Sequence, residues 1–183
     1  MTIKKNILVT GPPRSGKSTL IKEVVQELRK RGFKVGGVST PEIRVRGRRV
    51  GFKIVDIYTG REGILARVGL KGPRVSIYGV NIADIDNIGV EAIKEALDEC
   101  EVVVIDEIAK MEFFSNRFKE ILEEALSSEK PLIGTIQFRT SIADIERIKR
   151  REDVECILLT RANFNEVKNR VLNRVLGLLR FNA

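Results

Sequence analysis

The amino-acid sequence predicts an α/β fold in which a mainly parallel β-sheet is flanked by helices. Short apolar runs alternate along the chain with amphipathic segments of helical spacing. The run Val102–Ile105 is uninterrupted and β-branched, which is typical of a central parallel strand buried on both faces. The chain has 183 residues, of which 43% are hydrophobic. We therefore expect one domain over residues 1–183 that needs no metal or disulfide to hold its core.

The predicted elements follow from apolar periodicity and from the turn residues between them. The predicted strands are Asn6–Thr10, Val35–Ser39, Val102–Ile105, Leu132–Ile136 and Ile157–Leu159. The predicted helices run from Ser18 to a C-terminal Gly32, then over Val90–Leu97, Ser115–Leu126, Ile142–Ile148 and Asn163–Leu176. Asn163 and Glu166, three residues apart, suggest a capping pair for the last helix, although the loop Arg161–Phe164 could instead contact a nucleotide base.

Residues 42–68 interrupt the alternation of strands and helices. Val50–Ile57 alternates in part between apolar and polar residues, and Arg61–Arg67 follows the turn residues Thr59-Gly60. This pattern predicts an antiparallel β-hairpin inserted at 42–68. The segment 71–86 is rich in Gly, Pro and Asn, and we expect it to be irregular.

The chain is basic, with 33 Lys and Arg against 25 Asp and Glu and a formal net charge of +8. Such a charge favours an anionic partner. Arg44, Arg46, Arg48 and Arg49 lie in a basic loop before the hairpin and could contact nucleic acid, attract a triphosphate or form a solvated surface. No interleaved aromatic residues support base stacking. The N-terminal apolar run is too short for a signal peptide and no later run approaches a membrane span, so we expect a cytoplasmic protein with no membrane partner.

The composition excludes several kinds of catalytic and metal site. The chain has no His, which excludes a Ser-His-Asp triad, a Cys-His dyad and every His-ligated metal. Its two cysteines, Cys100 and Cys156, are far apart and lie among apolar residues. We expect both to be reduced and buried rather than part of a zinc, iron–sulfur or redox site.

The segment from Gly11 to Ser18, Gly-Pro-Pro-Arg-Ser-Gly-Lys-Ser, fits the phosphate-loop pattern GxxxxGK[ST]. It follows a predicted strand and opens a predicted helix, which is the context the pattern requires. In such loops, backbone N–H groups hold the phosphates, the lysine reaches the β- and γ-phosphates, and the hydroxyl binds Mg²⁺. We therefore expect a nucleotide to bind at Gly11, Pro12, Pro13, Arg14, Ser15, Gly16, Lys17, Ser18 and Thr19, with Ser18 as a Mg²⁺ ligand.

Two carboxylates, Asp106 and Glu107, follow the buried run Val102–Ile105. An acidic residue at the carboxyl end of such a strand lies beside the phosphate loop. Asp106 is thus the second candidate ligand of Mg²⁺, and Glu107 is the candidate base that polarises an attacking water. Folds with this pair usually place one strand between the two motif strands, and the chain has room for it between Lys17 and Asp106. No NKxD motif is present, so strict guanine selection is not predicted.

Further candidates each have a structural alternative. Lys110 could stabilise transition-state charge, or it could pair with Glu107 or Glu112. Thr135 and Gln137, at the end of the next predicted strand, could sense the γ-phosphate or simply end the strand. Arg139 could act as an arginine finger or lie at the surface, and Asp56 could serve the site or pair with a neighbouring arginine.

With these residues, the chain resembles the small P-loop nucleoside-triphosphatases of thermophilic prokaryotes, a family that includes the cancer-related nucleoside triphosphatase of vertebrates. The resemblance implies a RecA-like sheet and slow, Mg²⁺-dependent hydrolysis of the γ-phosphate with broad base tolerance. It departs from the family at Arg14 and at Ala109, where glycine is usual. The matching segments are Gly11–Leu20, Gly51–Asp56 with Thr59-Gly60 and Leu65–Arg67, Asp106–Ser115, and Gly134-Thr135 with Arg139.

Three functions fit the sequence. The first is Mg²⁺-dependent hydrolysis of nucleoside triphosphates. The second is a nucleotide or small-molecule kinase, whose arginine-lined acceptor segment would have to be Arg44–Arg49. The third is an ATPase module associated with nucleic acid, which would show a steep dependence of RNA or DNA affinity on salt.

Overall fold

A ten-stranded β-sheet forms the centre of the computed structural model, which describes residues 1–182. The strands are β1 (Asn6–Thr10), β2 (Val35–Ser39), β3 (Glu42–Val45), β4 (Arg48–Asp56), β5 (Glu62–Val68), β6 (Arg74–Val75), β7 (Tyr78–Val80), β8 (Val102–Ile108), β9 (Leu132–Ile136) and β10 (Val154–Leu158). Strands β10, β1, β9, β8 and β2 lie side by side in that order, and all of their pairings are parallel. The predicted α/β fold with its parallel strands is confirmed.

One strand does lie between the two motif strands β1 and β8, as expected, but it comes from a different part of the chain. That strand is β9, which follows β8 in sequence, whereas we expected it between Lys17 and Asp106. Because β9 separates β1 from β8, its last two residues, Thr135 and Ile136, lie between the phosphate loop and the two carboxylates.

Helices cover both faces of the parallel strands. They are α1 (Lys17–Lys30), α2 (Ile82–Asp84), α3 (Glu91–Glu99), α4 (Asn116–Ser127), α5 (Ala143–Lys149) and α6 (Phe164–Phe181). One apolar cluster joins α1 and α6 to Ile7 and Val9 of β1, and the other joins α3, α4 and α5 to Leu8. This division follows from the alternation of side chains across a strand. No helix within residues 1–182 is long and apolar enough to cross a bilayer.

The start of α6 differs from the prediction. Asn163 does not pair with Glu166: its Oδ1 accepts a hydrogen bond from the Thr160 backbone N–H at 2.7 Å, and its Nδ2 donates to the Leu158 carbonyl at 3.0 Å. Asn163 therefore fastens the loop between β10 and α6. Helix α4 begins one residue later than the predicted Ser115–Leu126, because Ser115 is its N-cap and its Oγ accepts a hydrogen bond from the Phe118 backbone N–H.

The antiparallel part of the sheet is larger than a hairpin. Strands β3, β4 and β5 form a meander over 42–68. The predicted basic loop is not a loop: Arg44 lies in β3, Arg48 and Arg49 lie in β4, and only Arg46 is in the turn between them. The segment 71–86 is not irregular throughout, because β7 pairs with β5 and with β6. A short helix and a π-helical stretch, Ile85–Val90, then lead directly into α3. The whole extension joins the parallel strands through antiparallel pairing of β4 with β2.

Candidate active site

The phosphate loop connects the end of β1 to the start of α1, as the sequence predicts. Gly16 has φ +98°, and a Cβ there would lie 3.3 Å from the ring of Phe164, so only glycine fits without strain. Arg14 has φ +65°, in the left-handed region that disfavours side chains. The arginine therefore occupies a glycine-like conformation at the position where the resemblance led us to expect glycine.

Lys17, the first residue of α1, folds back over the loop. Its Nζ donates a hydrogen bond to the Gly11 carbonyl at 2.6 Å. This contact fixes the ammonium group at the mouth of the loop, facing the carboxyl end of β8. Its positive charge acts to lower the pKa of both Asp106 and Glu107.

Asp106 is the centre of a small buried network. Its Oδ1 accepts hydrogen bonds from Ser18 Oγ at 3.2 Å and from Thr135 Oγ1 at 2.7 Å. Its backbone carbonyl accepts from the Thr40 N–H and hydroxyl at 2.8 and 3.1 Å. Burial raises the pKa of Asp106 above its ordinary value, and the bonds from Thr135 and Ser18 partly oppose that shift. The Asp106 carboxylate therefore joins Ser18 to β9, and its backbone carbonyl holds Thr40, the residue after β2.

Glu107 lies where the pairing of β8 with β9 is interrupted. The register shifts between Ile105 and Ile108, so Asp106 and Glu107 fall in an irregular part of the strand. Such irregularities re-aim side chains, and here both carboxylates line the same cavity. Burial raises the pKa of Glu107, Lys17 lowers it, and the charge of Asp106 raises it further, so the net direction is upward. Glu107 is thus a stronger base than an exposed glutamate.

A cavity of about 1220 Å³ opens in front of these residues. Its proximal half is formed by the phosphate loop, by both carboxylates and by the residues that follow β9. They are Gly11, Pro12, Pro13, Arg14, Lys17, Ser18, Asp106, Glu107, Thr135, Gln137, Phe138 and Arg139. The candidate phosphate, metal and base residues therefore meet in one cavity.

Some predicted site residues lie outside the cavity wall. Ser15, Gly16 and Thr19 do not line it; Ser15 is buried, and its Oγ has no hydrogen-bond partner among residues 1–182. Lys110 is exposed and also does not line the cavity, and its backbone N–H donates to Gln137 Oε1. In the part of the chain that the structure describes, it forms no ion pair with Glu107 or Glu112, so that alternative is wrong.

The remaining candidates are divided between the cavity and the scaffold. Gln137 and Arg139 line the cavity, and the Arg139 guanidinium lies 5.2 Å from the centre of the Phe138 ring. Within residues 1–182, Asp56 neither lines the cavity nor pairs with a neighbouring arginine, which were the two roles considered for it. Its Oδ1 accepts from the backbone N–H groups of Tyr58 and Thr59, so it caps the turn after β4.

In the other half of the cavity wall, sequence reasoning singles out only Arg44 and Arg49. Glu42, Phe52 and Tyr78 also line it, together with Thr40 and Pro41. The partial alternation that predicted the hairpin could have placed Phe52 on one face of β4. Nothing in the sequence marked Tyr78, because its segment has neither helical nor strand periodicity.

Comparison with known proteins places this geometry in a family. A family model described as NTPase matches residues 6–172. The chain belongs to this NTPase family. It is 42% identical over 173 residues to the nucleoside-triphosphatase THEP1 of Methanothermobacter thermautotrophicus, covering 94% of this chain and 95% of the relative. It is 45% identical over 161 residues to the THEP1 of Thermofilum pendens, covering 87% and 88%.

Two solved structures share the fold of this NTPase. The crystal structure of THEP1 from the hyperthermophile Aquifex aeolicus superposes with a TM-score of 0.83 at 28% identity, covering 93% of this chain and 98% of that one. The solution structure of a human cancer-related nucleoside triphosphatase gives a TM-score of 0.79 at 34% identity, covering 94% and 97%. The resemblance inferred from the motifs is thereby confirmed.

The NTPase site offers ligands for a hard divalent cation. Ser18 Oγ and Asp106 Oδ1 are 3.2 Å apart at the mouth of the phosphate loop. A hydroxyl and a carboxylate are both oxygen donors of the kind that Mg²⁺ prefers. This donor set fits Mg²⁺ and offers no soft ligand.

Proposed function

We propose that this NTPase hydrolyses the γ-phosphate of nucleoside 5′-triphosphates, ATP and GTP among them, to the diphosphate and phosphate in the presence of Mg²⁺. The observation that carries the proposal is that Glu107 lines the same cavity as Lys17 and the Ser18–Asp106 pair. A base, a phosphate-binding lysine and a cation-binding pair in one cavity are the parts that this reaction needs. The THEP1 relatives are named nucleoside-triphosphatases, which supports the same assignment.

Each part has a defined role in the proposed reaction. The loop amides and Lys17 bind the phosphates and stabilise the charge on the transferring group. Ser18 and Asp106 hold Mg²⁺, which when bound neutralises charge on the phosphate oxygens. Glu107 accepts a proton as water attacks the γ-phosphorus and the bond to the bridging oxygen breaks.

Two further assignments follow from the positions of other residues. Thr135 is a positioning residue, because it acts through Asp106 rather than on the substrate. We assign no catalytic role to Lys110, because it is exposed and lies outside the cavity wall. We place the activity in the cytoplasm, where nucleoside triphosphates and Mg²⁺ are both present.

Glu107→Gln tests the proposal most directly. The amide keeps the volume of the side chain but cannot act as a base, so hydrolysis should fall by about 10²–10⁴. Nucleotide affinity should stay within about threefold of the wild type, because Lys17 and the loop amides remain. Affinity and single-turnover hydrolysis would be measured on the same preparation.

Glu120→Gln is the matched control, because Glu120 is an exposed residue of α4 with the same change in charge. It should hydrolyse ATP like the wild type. If Glu107→Gln retains hydrolysis within about threefold of the wild type, Glu107 is not the base. If Lys17→Ala, in a folded protein, leaves both affinity and hydrolysis unchanged, the phosphate-loop assignment itself fails.

A further inference from the structure

The cavity continues well beyond the phosphate loop. Its distal half is formed by Thr40, Pro41, Glu42, Arg44, Arg49, Phe52 and Tyr78, which come from the segment after β2 and from β3, β4 and β7. The total volume of about 1220 Å³ exceeds the range of about 300–1,000 Å³ that is usual for one small-molecule site. The cavity therefore has room in its distal half for a second ligand beside a bound triphosphate.

The distal half lies beyond the γ-phosphate end of the loop. In a phosphate loop, the lysine and the hydroxyl mark the β- and γ-phosphates, and here both Lys17 and Ser18 line the cavity. Thr19 does not line it, and Gly16 faces Phe164 at the start of α6. As part of the proposed function, we place the nucleoside on this α6 side of the phosphate loop, outside the distal half. The distal half begins instead at Thr40, whose N–H and hydroxyl contact the Asp106 carbonyl.

Two arginines in the distal half are held by a single carboxylate. Arg44 Nε donates to Glu42 Oε2 at 2.9 Å, and Arg49 Nη1 donates to Glu42 Oε1 at 3.2 Å. The arginine side chains remain 51% and 45% exposed, respectively. One carboxylate neutralises only one of the two cations, so a net positive charge remains beside the cavity. Several guanidinium N–H groups are left to donate to a further anion.

Arg49 is also fixed by the two aromatic rings of this wall. Its Nε donates to the Tyr78 hydroxyl at 3.0 Å, and its guanidinium lies 5.1 Å from the centre of the Phe52 ring and 5.7 Å from that of Tyr78. A guanidinium that is already oriented loses less entropy when it binds an anion. The planar fork of an arginine matches the oxygens of a phosphate group.

We propose that the distal half of the cavity is a second binding site for a phosphate monoester, whose phosphate group lies against Arg44 and Arg49. The proposal depends on the proposed function in one respect only, namely that a triphosphate binds at the phosphate loop beside this second site. Sugar phosphates and nucleoside monophosphates share the required chemistry. The concave wall and its few aromatic residues favour a small ligand over an extended RNA strand.

Binding can be measured through Tyr78 itself. The chain has no Trp and only two Tyr, so Tyr58→Phe leaves Tyr78 as the only strong fluorophore, in the wall of the proposed site. Titration with inorganic phosphate and with ribose 5-phosphate, which do not absorb, should change its emission in a saturable way. Calorimetry would serve for AMP and GMP. A Mg²⁺ complex of a non-hydrolysable ATP analogue would fill the phosphate loop in the titrations of the wild type and of the arginine variants, and Lys17→Ala would be titrated without it.

Single substitutions identify the arginines that bind. Arg44→Gln and Arg49→Gln should each weaken ribose 5-phosphate binding by about tenfold or more, the usual effect of removing a hydrogen bond between charged groups. Arg46→Gln is the matched control, because Arg46 carries the same charge in the turn between β3 and β4 but does not line the cavity. It should bind like the wild type. Arg44 does not stack on the aromatic rings, so Arg44→Gln tests the proposal even if Arg49→Gln fails to fold.

The outcomes separate the ligand sources and the two proposals. Tighter binding of ribose 5-phosphate than of phosphate supports a sugar phosphate, and still tighter binding of AMP or GMP supports a nucleotide. Binding that persists in Lys17→Ala, without the analogue, supports this site independently of the triphosphate. The absence of saturable binding of every probe would overturn the proposal. The proposal would also be overturned if Arg46→Gln weakened ribose 5-phosphate binding as much as Arg44→Gln does. That result, with or without tight binding of a short RNA, would indicate a general polyanion surface.

Discussion

Replacing Thr135 with Val removes one hydroxyl from the base of the nucleotide site and leaves the shape of the side chain almost unchanged. Thr135 is fully buried, and its Oγ1 donates to Asp106 Oδ1 at 2.7 Å. The other side-chain donor to that oxygen, Ser18 Oγ, is more distant at 3.2 Å. Thr135 therefore supplies the shorter of the two bonds that orient the carboxylate.

The size of the effect follows from this geometry. Asp106 is only 9% exposed, so water cannot readily replace the lost donor. A hydrogen bond to a charged group contributes about 1.5–3 kcal/mol. Removing a group that orients a metal ligand typically costs about 10–100-fold in metal affinity. The pKa of Asp106, already raised by burial, should rise further in Thr135→Val, so protons compete more strongly with Mg²⁺.

The assay is the Mg²⁺ concentration at half-maximal hydrolysis, measured at a fixed nucleotide concentration. It should rise about 10–100-fold in Thr135→Val. Thr135→Ser keeps the hydroxyl and should stay within about threefold of the wild type. Nucleotide affinity without Mg²⁺ should be the same in all three proteins. A folded Thr135→Val protein whose midpoint stays within about twofold of the wild type would refute the positioning role.

Two further changes test stability. Arg14→Gly should be more stable than Arg14→Ala by about 1 kcal/mol, or about 2–4 °C in Tm, because glycine adopts φ +65° without strain on a Cβ; equal Tm values would contradict this. Burial raises the pKa of Glu112 well above 4.5, and its Oε2 has no hydrogen-bond partner within residues 1–182. The unfolded chain loses this proton first, so the wild type loses stability as the pH rises above about 4.5. Urea unfolding should show Glu112→Gln to be more stable at pH 7 but not at pH 4, and an equal gain at both values would exclude a charge effect.

The parallel strands were the most predictable part of the fold. Strands β1, β2 and β9 have the predicted bounds, Asn6–Thr10, Val35–Ser39 and Leu132–Ile136. Each is an almost wholly buried run, and burial on both faces leaves a continuous apolar signature in the sequence. Strand β10 begins earlier than the predicted Ile157–Leu159. It lies at the sheet edge, where Glu155 pairs with Arg170 and Arg174 and breaks the apolar run.

The residues of the active site were predictable where one short segment of sequence carries the whole motif. The phosphate loop Gly11–Ser18 and the pair Asp106-Glu107 are read from neighbouring residues, and the strand ends that carry them meet at one edge of a parallel sheet. To predict the place of Thr135 in the site, one also has to know that β9 lies between β1 and β8. Strand order is set by packing over the whole sheet, and short-range periodicity does not contain it.

The distal half of the cavity depends on long-range pairing throughout. Phe52 and Tyr78 come from β4 and β7, and they reach the region of Asp106 only because β2 pairs with β8 on one side and with β4 on the other. Gly79 allows this arrangement, since a Cβ there would collide with the Leu70 carbonyl. A phosphate loop is built from one turn and binds any triphosphate, whereas this wall is assembled from three strands. We therefore expect substitutions in the wall to change ligand choice and substitutions in the loop to change phosphate binding itself.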